Sequence, residues 1–527
     1  MHAVRRTSWL LLTGLVLALG LAGCQSRPEL DLTHMRPATV GEARPDVSFW
    51  GETVTYPFEV KYSTARDERG VEWEFAYMDE FIGEDISKAP TLVLVHGKGA
   101  AAGYWSELME TALEAGLRVV ALDIPGYGKS IPGNLDAPLA RTFEDTRQAW
   151  HRIASDELNI DNATYLGHSM GGQWVIGYTL SYPDAVDKLI VAATAGFEEY
   201  PRNITLPGGE VPWMDPVYAH DYDTWNETWA FTGRLDRERN TTEQQIRDFY
   251  YFKKRDPNTG EVTESDVGFF KKDGPDARWL TEARVGMIDG PQEELELWVI
   301  AYTRDIYSMG MELNREDPNS LFKRLTEIDI PVFIAFGADE PLIPTTVATG
   351  NTDLRNEVIK PAYMKLAEQG PKPVVKLYEG VGHFIHTDVP ETFNNDVVDF
   401  VYNGRVSGPT EDPAKYEAAA VELPADVAAF VEADETAVRS GDVAAIMANY
   451  HPDFQSDGRD YEAQTNLYKT YGNQLKAKYE VEITGLEIEG DKALVDGAIT
   501  TSFGKANLKG TYLIKEDGKW MWYGNRK

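Results

Sequence analysis

Between residues 91 and 192, short apolar runs alternate with longer amphipathic stretches, and this alternation constrains the fold more than any other feature of the sequence. The runs are TLVLVHG (91–97), RVVALDIPG (118–126), ATYLGHS (163–169) and DKLIVAATAG (187–196). Between them lie YWSELMETALEAG, TFEDTRQAWHRIASDEL and MGGQWVIGYTLSYP, each with helical periodicity. A strand that is apolar on both sides must be covered on both faces. Strands of that kind separated by helices predict a parallel sheet between two helical layers. Two further runs, IPVFIAFGAD (330–339) and PVVKLYEGVGH (373–383), extend the set. Ahead of them TYPFEVKYS and VEWEFAYMDE alternate polar and apolar residues, as antiparallel strands do. The expected class is α/β.

The alternation stops between about residues 198 and 328. This stretch is mostly helical in pattern and rich in aromatics: Trp213, Trp225, Trp229, Tyr250, Tyr251, Trp279, Trp298, Tyr302 and Tyr307. Because it lies between two core strands, it must leave the sheet and return, which suits a cap over the strand ends. Most of its aromatics are expected in the cap core, and about a third near a substrate. Residues 51–405 then form the first domain, 406–423 a linker, and 424–527 a second domain. In the second, helical patterns (PADVAAFVEADETAVRSGDVAAIMANY, YEAQTNLYKTYGNQL) precede four strand-like runs, an α+β order. That order and the closing YLIKEDGKWMWYGNR resemble the nuclear-transport-factor-2-like (SnoaL-like), cone-shaped α+β domains. Such domains serve as ligand pockets, as homo-oligomerisation modules or as surfaces for other components.

Three motifs stand at the ends of the apolar runs. YLGHSMGGQW sets Ser169 between Gly167 and Gly171 where a strand meets a helix. The G-x-S-x-G pattern alone does not separate a nucleophile from a turn serine. The strand-to-helix context does, because the paired glycines let the chain kink and lift the hydroxyl to the carboxyl edge of the sheet. LVLVHGKG places His96-Gly97-Lys98 at the end of an earlier strand, and LDIPGYGKS follows the next. In this order the motifs resemble the α/β-hydrolase superfamily across roughly residues 50–405. The closer likeness is to bacterial hydrolases with HGK followed by YW, here Tyr104-Trp105.

The resemblance implies an α/β-hydrolase sheet with an inserted helical cap and a nucleophile–acid–histidine order. Ser169 is then the nucleophile and His383, in the G-H motif, the base, with His386 its rival. Asp339, just past strand residues Phe333 to Phe336, is the expected acid, with Glu340 and Asp353 as rivals. The backbone amides of Lys98 and Met170 would form the oxyanion hole. Trp105 and His168 would lie at the substrate. A serine in this position implies acyl transfer, with a small-molecule ester as the first expectation. A serine aminopeptidase of the proline-iminopeptidase kind, a C–C bond hydrolase, or a non-catalytic ligand-binding lipoprotein are the alternatives. No cofactor, metal-ligand cluster or nucleotide fingerprint is expected.

The first residues, MHAVRR followed by WLLLTGLVLALGLAG, have the basic and apolar regions of an export signal. They end in Leu-Ala-Gly-Cys24, and Cys24 is the only cysteine in the sequence. This resembles the bacterial lipobox, which implies a signal peptide over 1–24 and a lipid on Cys24 that anchors the chain to the membrane. Gln25 in the next position implies the outer membrane, and residues 25–50 read as a tether. A formal charge of −34 sets the surface against polyanions, so nucleic acid is not an expected partner.

Overall fold

The computed structural model describes residues 35–527 apart from 139, 207–208, 219–220, 230, 252, 256–261, 265–268, 346–348, 350, 352, 417–422, 457, 502–503, 509 and 526–527. The expected leader, Cys24 and the first part of the tether lie outside these residues. The chain divides into two units, one ending at Tyr416 and one beginning at Glu417.

The first unit is built on an eight-stranded sheet. Its strands are β1 (Lys61–Arg66), β2 (Glu72–Glu80), β3 (Thr91–Val95), β4 (Arg118–Asp123), β5 (Ala163–His168), β6 (Val186–Ala192), β7 (Val332–Gly337) and β8 (Val374–Tyr378), in spatial order β1-β2-β4-β3-β5-β6-β7-β8. β1 and β2 form an antiparallel edge, and β2 meets β4 antiparallel. The remaining pairs from β4 to β8 are parallel. The apolar runs explain the layering. Every residue of β4, β5 and β7 is buried, as a strand covered on both faces requires. Helices α1 (Ser106–Glu114), α2 (Phe143–Arg152) and α3 (Met170–Ser181) follow β3, β4 and β5 in turn. α3 is so deeply set that ten of its twelve residues are buried, which explains why its sequence lacks a polar face.

The excursion between β6 and β7 is the cap. It begins with a short hairpin, Asn203–Leu206 with Gly209–Pro212, and continues through α4 (Tyr222–Thr228), α5 (Arg234–Arg239), α6 (Glu243–Tyr251), α7 (Pro275–Gly286) and α8 (Gln292–Glu312). The cap docks through α7. Asp276, fully buried at its start, accepts from Ser106 Oγ and from the Glu107 amide (3.2 Å), and so caps α1 from outside. Trp279 lies against Gly103, where a Cβ would overlap its ring.

Two expected boundaries are occupied by packed chain. Phe49 and Trp50, at the end of the expected tether, are buried, and the Trp50 carbonyl accepts from Lys129 Nζ at 2.5 Å. Past α9 (Pro390–Asn403), residues expected as linker hold to the first unit: Ser407 N donates to Asp396 (2.9 Å) and Glu411 N to the Val375 carbonyl on β8 (2.7 Å).

The second unit has the helices-then-strands order. α10 (Ala425–Ser440), α11 (Val443–Met447) and α12 (Tyr461–Leu475) precede β9 (Tyr479–Glu489), β10 (Lys492–Thr501), β11 (Gly504–Asn507), β12 (Thr511–Glu516) and β13 (Lys519–Gly524). The sheet is antiparallel, in order β9-β10-β12-β13, with β11 also on β10. Trp520 and Trp522 are core residues, while Tyr512 is exposed. Inside this core Asp434 accepts from Tyr479 Oη (3.0 Å) and Asn449 Nδ2 (3.3 Å), and burial pushes its carboxyl up to about 6.

Candidate active site

Ser169 sits between β5 and α3 with φ 56° and ψ −121°, a backbone conformation that a side chain rarely adopts. The surroundings hold it there. Its amide donates to the Ala192 carbonyl (2.9 Å), and its own carbonyl accepts from Gly172 (2.9 Å) and Ala195 (3.0 Å). The flanking glycines are sterically required. A Cβ on Gly167 would overlap the Gly171 carbonyl, and one on Gly171 would come within 2.5 Å of the carbonyl oxygens of Val95 and His96. Strand and helix therefore cross at a distance only glycine permits, and the serine is left partly exposed at the tip.

The oxyanion-loop candidate passes directly over this tip: a Cβ on Gly97 would lie 3.1 Å from Ser169 Cβ. The Met170 amide is the first of α3 and has no partner within the helix. His96 braces the loop. It accepts from Ile124 N at Nε2 (3.0 Å) and faces the Gly97 carbonyl with Nδ1 (2.8 Å). Burial lowers its pKa to about 4, so it is neutral at physiological pH.

His383 follows β8, with a side chain almost fully buried. Its Nδ1 lies 2.9 Å from both carboxylate oxygens of Glu340, whose side chain is completely buried. This corrects the expectation for the acid. Asp339 instead has a side chain 45% exposed and pairs with Lys271 at 3.5 Å. Its amide donates to the Val381 carbonyl (3.0 Å) in the loops past β7 and β8, and the next side chain is the one that turns to the histidine. The Leu342 amide holds the Glu340 carboxylate in place (2.8 Å). Asp353, the weaker rival, caps a separate helical turn through the amides of Arg355 and Asn356.

A single polar chain joins the three loops. Gly97 N–H donates to Tyr104 Oη (3.0 Å), Tyr104 Oη–H donates to His168 Nδ1 (3.1 Å), and His168 Nε2–H donates to the His383 carbonyl (2.9 Å). Burial and the neighbouring histidines hold the His168 pKa well below its ordinary value, consistent with this neutral tautomer. His168 does line the cavity above Ser169, but both ring nitrogens are engaged in holding loops. Trp105 departs from its expected place: it is fully buried, its ring tilted against His386 at 4.4 Å, and is not among the described residues lining the cavity. His386 is likewise buried, with neither ring nitrogen hydrogen-bonded, and burial lowers its pKa to about 3.

Residues 90–371 match the family model for the alpha/beta hydrolase fold, more than half of the chain and the segment that holds the His96-Gly97 loop, Ser169 and Glu340. The chain belongs to the alpha/beta hydrolase family. Among its relatives in this family, a 1-acylglycerol-3-phosphate O-acyltransferase of Arabidopsis thaliana is 35% identical over 157 residues, 29% of this chain and 36% of that protein. A 2-hydroxy-6-oxononadienedioate/2-hydroxy-6-oxononatrienedioate hydrolase of Paraburkholderia phymatum is 34% identical over 127 residues, 24% of this chain and 41% of that protein. The chain thus spans about two-fifths or less of the length of these relatives. A probable hydrolytic enzyme of Pseudomonas aeruginosa, a solved structure, is 21% identical, with a TM-score of 0.47 over 69% of this chain and 98% of that one.

In this alpha/beta hydrolase the cavity over Ser169 has a volume of about 370 Å³, and Ser169 and His383 both face it. Of the nine aromatics singled out in the cap sequence, Tyr250, Trp298 and Tyr302 line it. The charged lining consists of Lys98, Arg234, Arg284 and Glu238. Arg234 and Glu238 are a turn apart on α5, but Lys98 and Arg284 come from distant segments, so no linear signal joins the four. Arg284 and Arg234 (3.0 Å) share the Glu238 carboxylate. Arg284 lies 4.1 Å over the Trp298 ring, and Arg234 and Lys98 each lie 4.4 Å over Tyr302. Lys98 pulls the Tyr302 hydroxyl below its ordinary pKa against the effect of burial, and the two arginines add to it.

Proposed function

We propose that this chain is a serine hydrolase that cleaves a carboxylic ester through an acyl-enzyme. The observation that carries the reading is the placement of Ser169, at a strained turn, in one cavity with a histidine whose Nδ1 is held by a buried carboxylate. With Nδ1 occupied, Nε2 is the nitrogen available as base. It takes the Ser169 proton as Oγ attacks the acyl carbon, and returns that proton to the departing alkoxide. Water then repeats the sequence on the acyl-enzyme, releasing the acid and restoring Ser169. Glu340 fixes the tautomer and stabilises the imidazolium. The amides of Lys98 and Met170 hold the oxyanion, each worth roughly 3 kcal/mol of barrier.

The test is labelling with a fluorophosphonate probe alongside hydrolysis of 4-nitrophenyl esters. The wild type should be labelled at Ser169 and turn over; Ser169→Ala should do neither. A folded wild type that takes no label would turn the reading into one of ligand binding. The similarity to the Paraburkholderia phymatum hydrolase supports a second reading, in which the same residues cleave an acyl–carbon bond. The aminopeptidase alternative loses support from the cavity, where the described lining sets Lys98, Arg234 and Arg284 against Glu238 and so disfavours a free amine.

On the sequence alone, we propose further that Cys24 is lipidated and holds the chain at the outer membrane. Metabolic palmitate labelling that persists in Cys24→Ser would refute this. For the second unit the order of helices and strands supports a nuclear-transport-factor-2-like domain. An experimental structure whose sheet does not wrap the helices into a cone would refute it.

A further inference from the structure

The cations over Ser169 are more numerous than the cavity's own carboxylate can satisfy. Glu238 is the one acidic residue among the described residues that line it, and it faces both Arg234 and Arg284. Among the described lining residues one carboxylate faces three cations, in a chain whose net charge is −34, and the further carboxylate at the site, Glu340, is committed to His383. Arg284 and Glu238 have side chains only 10% exposed, so water does little to solvate the excess. Arg234 Nε and Arg284 Nη1 are buried and have no hydrogen-bond partner among the described residues. Asp305, behind the lining, is engaged by the Tyr127 hydroxyl (2.7 Å), and burial pushes its carboxyl up to about 7, so it offsets the excess only in part. Buried guanidinium donors without acceptors are costly unless a ligand brings the acceptor.

We propose that the substrate of this site carries a carboxylate, held by Arg234 and Arg284 with Lys98 adding its charge, while its scissile acyl carbon lies at Ser169. Only the placement of the acyl carbon at Ser169 rests on the serine-hydrolase reading. Guanidinium groups present planar pairs of donors that match a carboxylate's two oxygens. The rings of Trp298 and Tyr302 hold the arginines in fixed planes, and the other aromatic lining residues suit an apolar chain between the two ends of such a molecule.

Matched esters test it. Mono-4-nitrophenyl esters of the dicarboxylic acids from succinate to suberate are compared with 4-nitrophenyl esters of the monocarboxylic acids of equal length. 4-Carboxyphenyl hexanoate is compared with 4-carbamoylphenyl hexanoate, to cover a charge on the leaving group. In at least one pair the anionic member should have the higher kcat/KM, by about tenfold for a charge-assisted pair. Arg284→Gln and Arg234→Gln should each lower that ratio at least about fivefold, and Arg284→Lys should restore part of it. A purely structural role for the arginines would lower both members of a pair equally. Calorimetry on Ser169→Ala with the free dicarboxylates and their diamides gives a readout independent of catalysis: a dicarboxylate should bind and its diamide should not. Equal kcat/KM in every pair, or no dicarboxylate binding, would overturn the proposal. If dicarboxylates bind but no ester turns over and no probe labels Ser169, the acyl-transfer reading fails and the anion site stands.

Discussion

Glu340 and Asp339 are adjacent carboxylates at the end of β7, yet one is completely buried against His383 and the other faces Lys271 with 45% of its side chain exposed. Glu340→Gln keeps the shape but removes the charge that steadies the imidazolium, so kcat on an ester should fall about 10³–10⁴-fold. Asp339→Asn breaks only an exposed ion pair and should leave kcat within about threefold. Steady-state kinetics of the two variants side by side decide between them; the reverse ranking would restore Asp339 as the acid. That Ser169 and His383 share one cavity was legible from the glycine-flanked motifs that end their strands. The carboxylate facing the histidine is legible only by count, since the third residue after Gly337 is Glu340 and not Asp339. In the structure 340 turns inward where the Asp339 amide is tied to the Val381 carbonyl, a loop contact between residues 42 positions apart. Trp105 was misplaced for a similar reason: its neighbour Tyr104 sends the hydroxyl into the polar chain beneath the site, and the indole packs on His386.

At the scale of elements, the strands of the parallel sheet were legible because each is a run of apolar residues that no half-exposed structure would tolerate. The cap was legible as an insertion but not in its contacts. Asp276, on α7, reads in sequence as an ordinary acidic residue of a helix's first turn. In the structure it is fully buried against the start of α1, and burial pushes its carboxyl up to about 8. This fixes the sign of a pH effect. In the unfolded chain the group loses its proton near its ordinary value of 3.8, while in the fold it keeps it until about 8. The folded state therefore binds the extra proton across that interval, and this group makes the protein less stable as pH rises through it. Thermal unfolding of the wild type should show a midpoint that drops between pH 6 and 9 by more than that of Asp276→Asn, which lacks the titration. A wild type and variant with parallel pH profiles would show that Asp276 is not the source.

At the scale of the whole molecule, each unit has a hydrophobic core of its own, one centred on the sheet β1–β8 and one on Val427, Phe430, Leu513, Trp520 and Trp522. The division after Tyr416 falls inside the expected linker 406–423, but the first residues of that linker belong to the first unit. Residues 407–411 read as linker because they are polar and contain Gly and Pro, whereas they hydrogen-bond to β8 and α9. A chain ending at Tyr416 should therefore fold, unfold in one transition and keep its kcat/KM within about twofold. A chain ending at Val406 strips Glu411 from the edge strand β8, removes the Ser407 carbonyl from Lys376 Nζ (2.8 Å), and should melt at a lower temperature. Equal melting of the two would show that residues 407–416 add nothing.

The sign of the cavity opposes the sign of the molecule around it. A small anion approaching from bulk first meets the repulsion of a chain with charge −34, and feels the attraction of Lys98, Arg234 and Arg284 only near the mouth. Salt flattens the outer hill, since at 0.15 M charges are screened beyond about 8 Å, but scarcely touches the inner well, where the cations are sheltered from solvent. Capture of such anions should speed up as brine is added, the reverse of ordinary electrostatic steering.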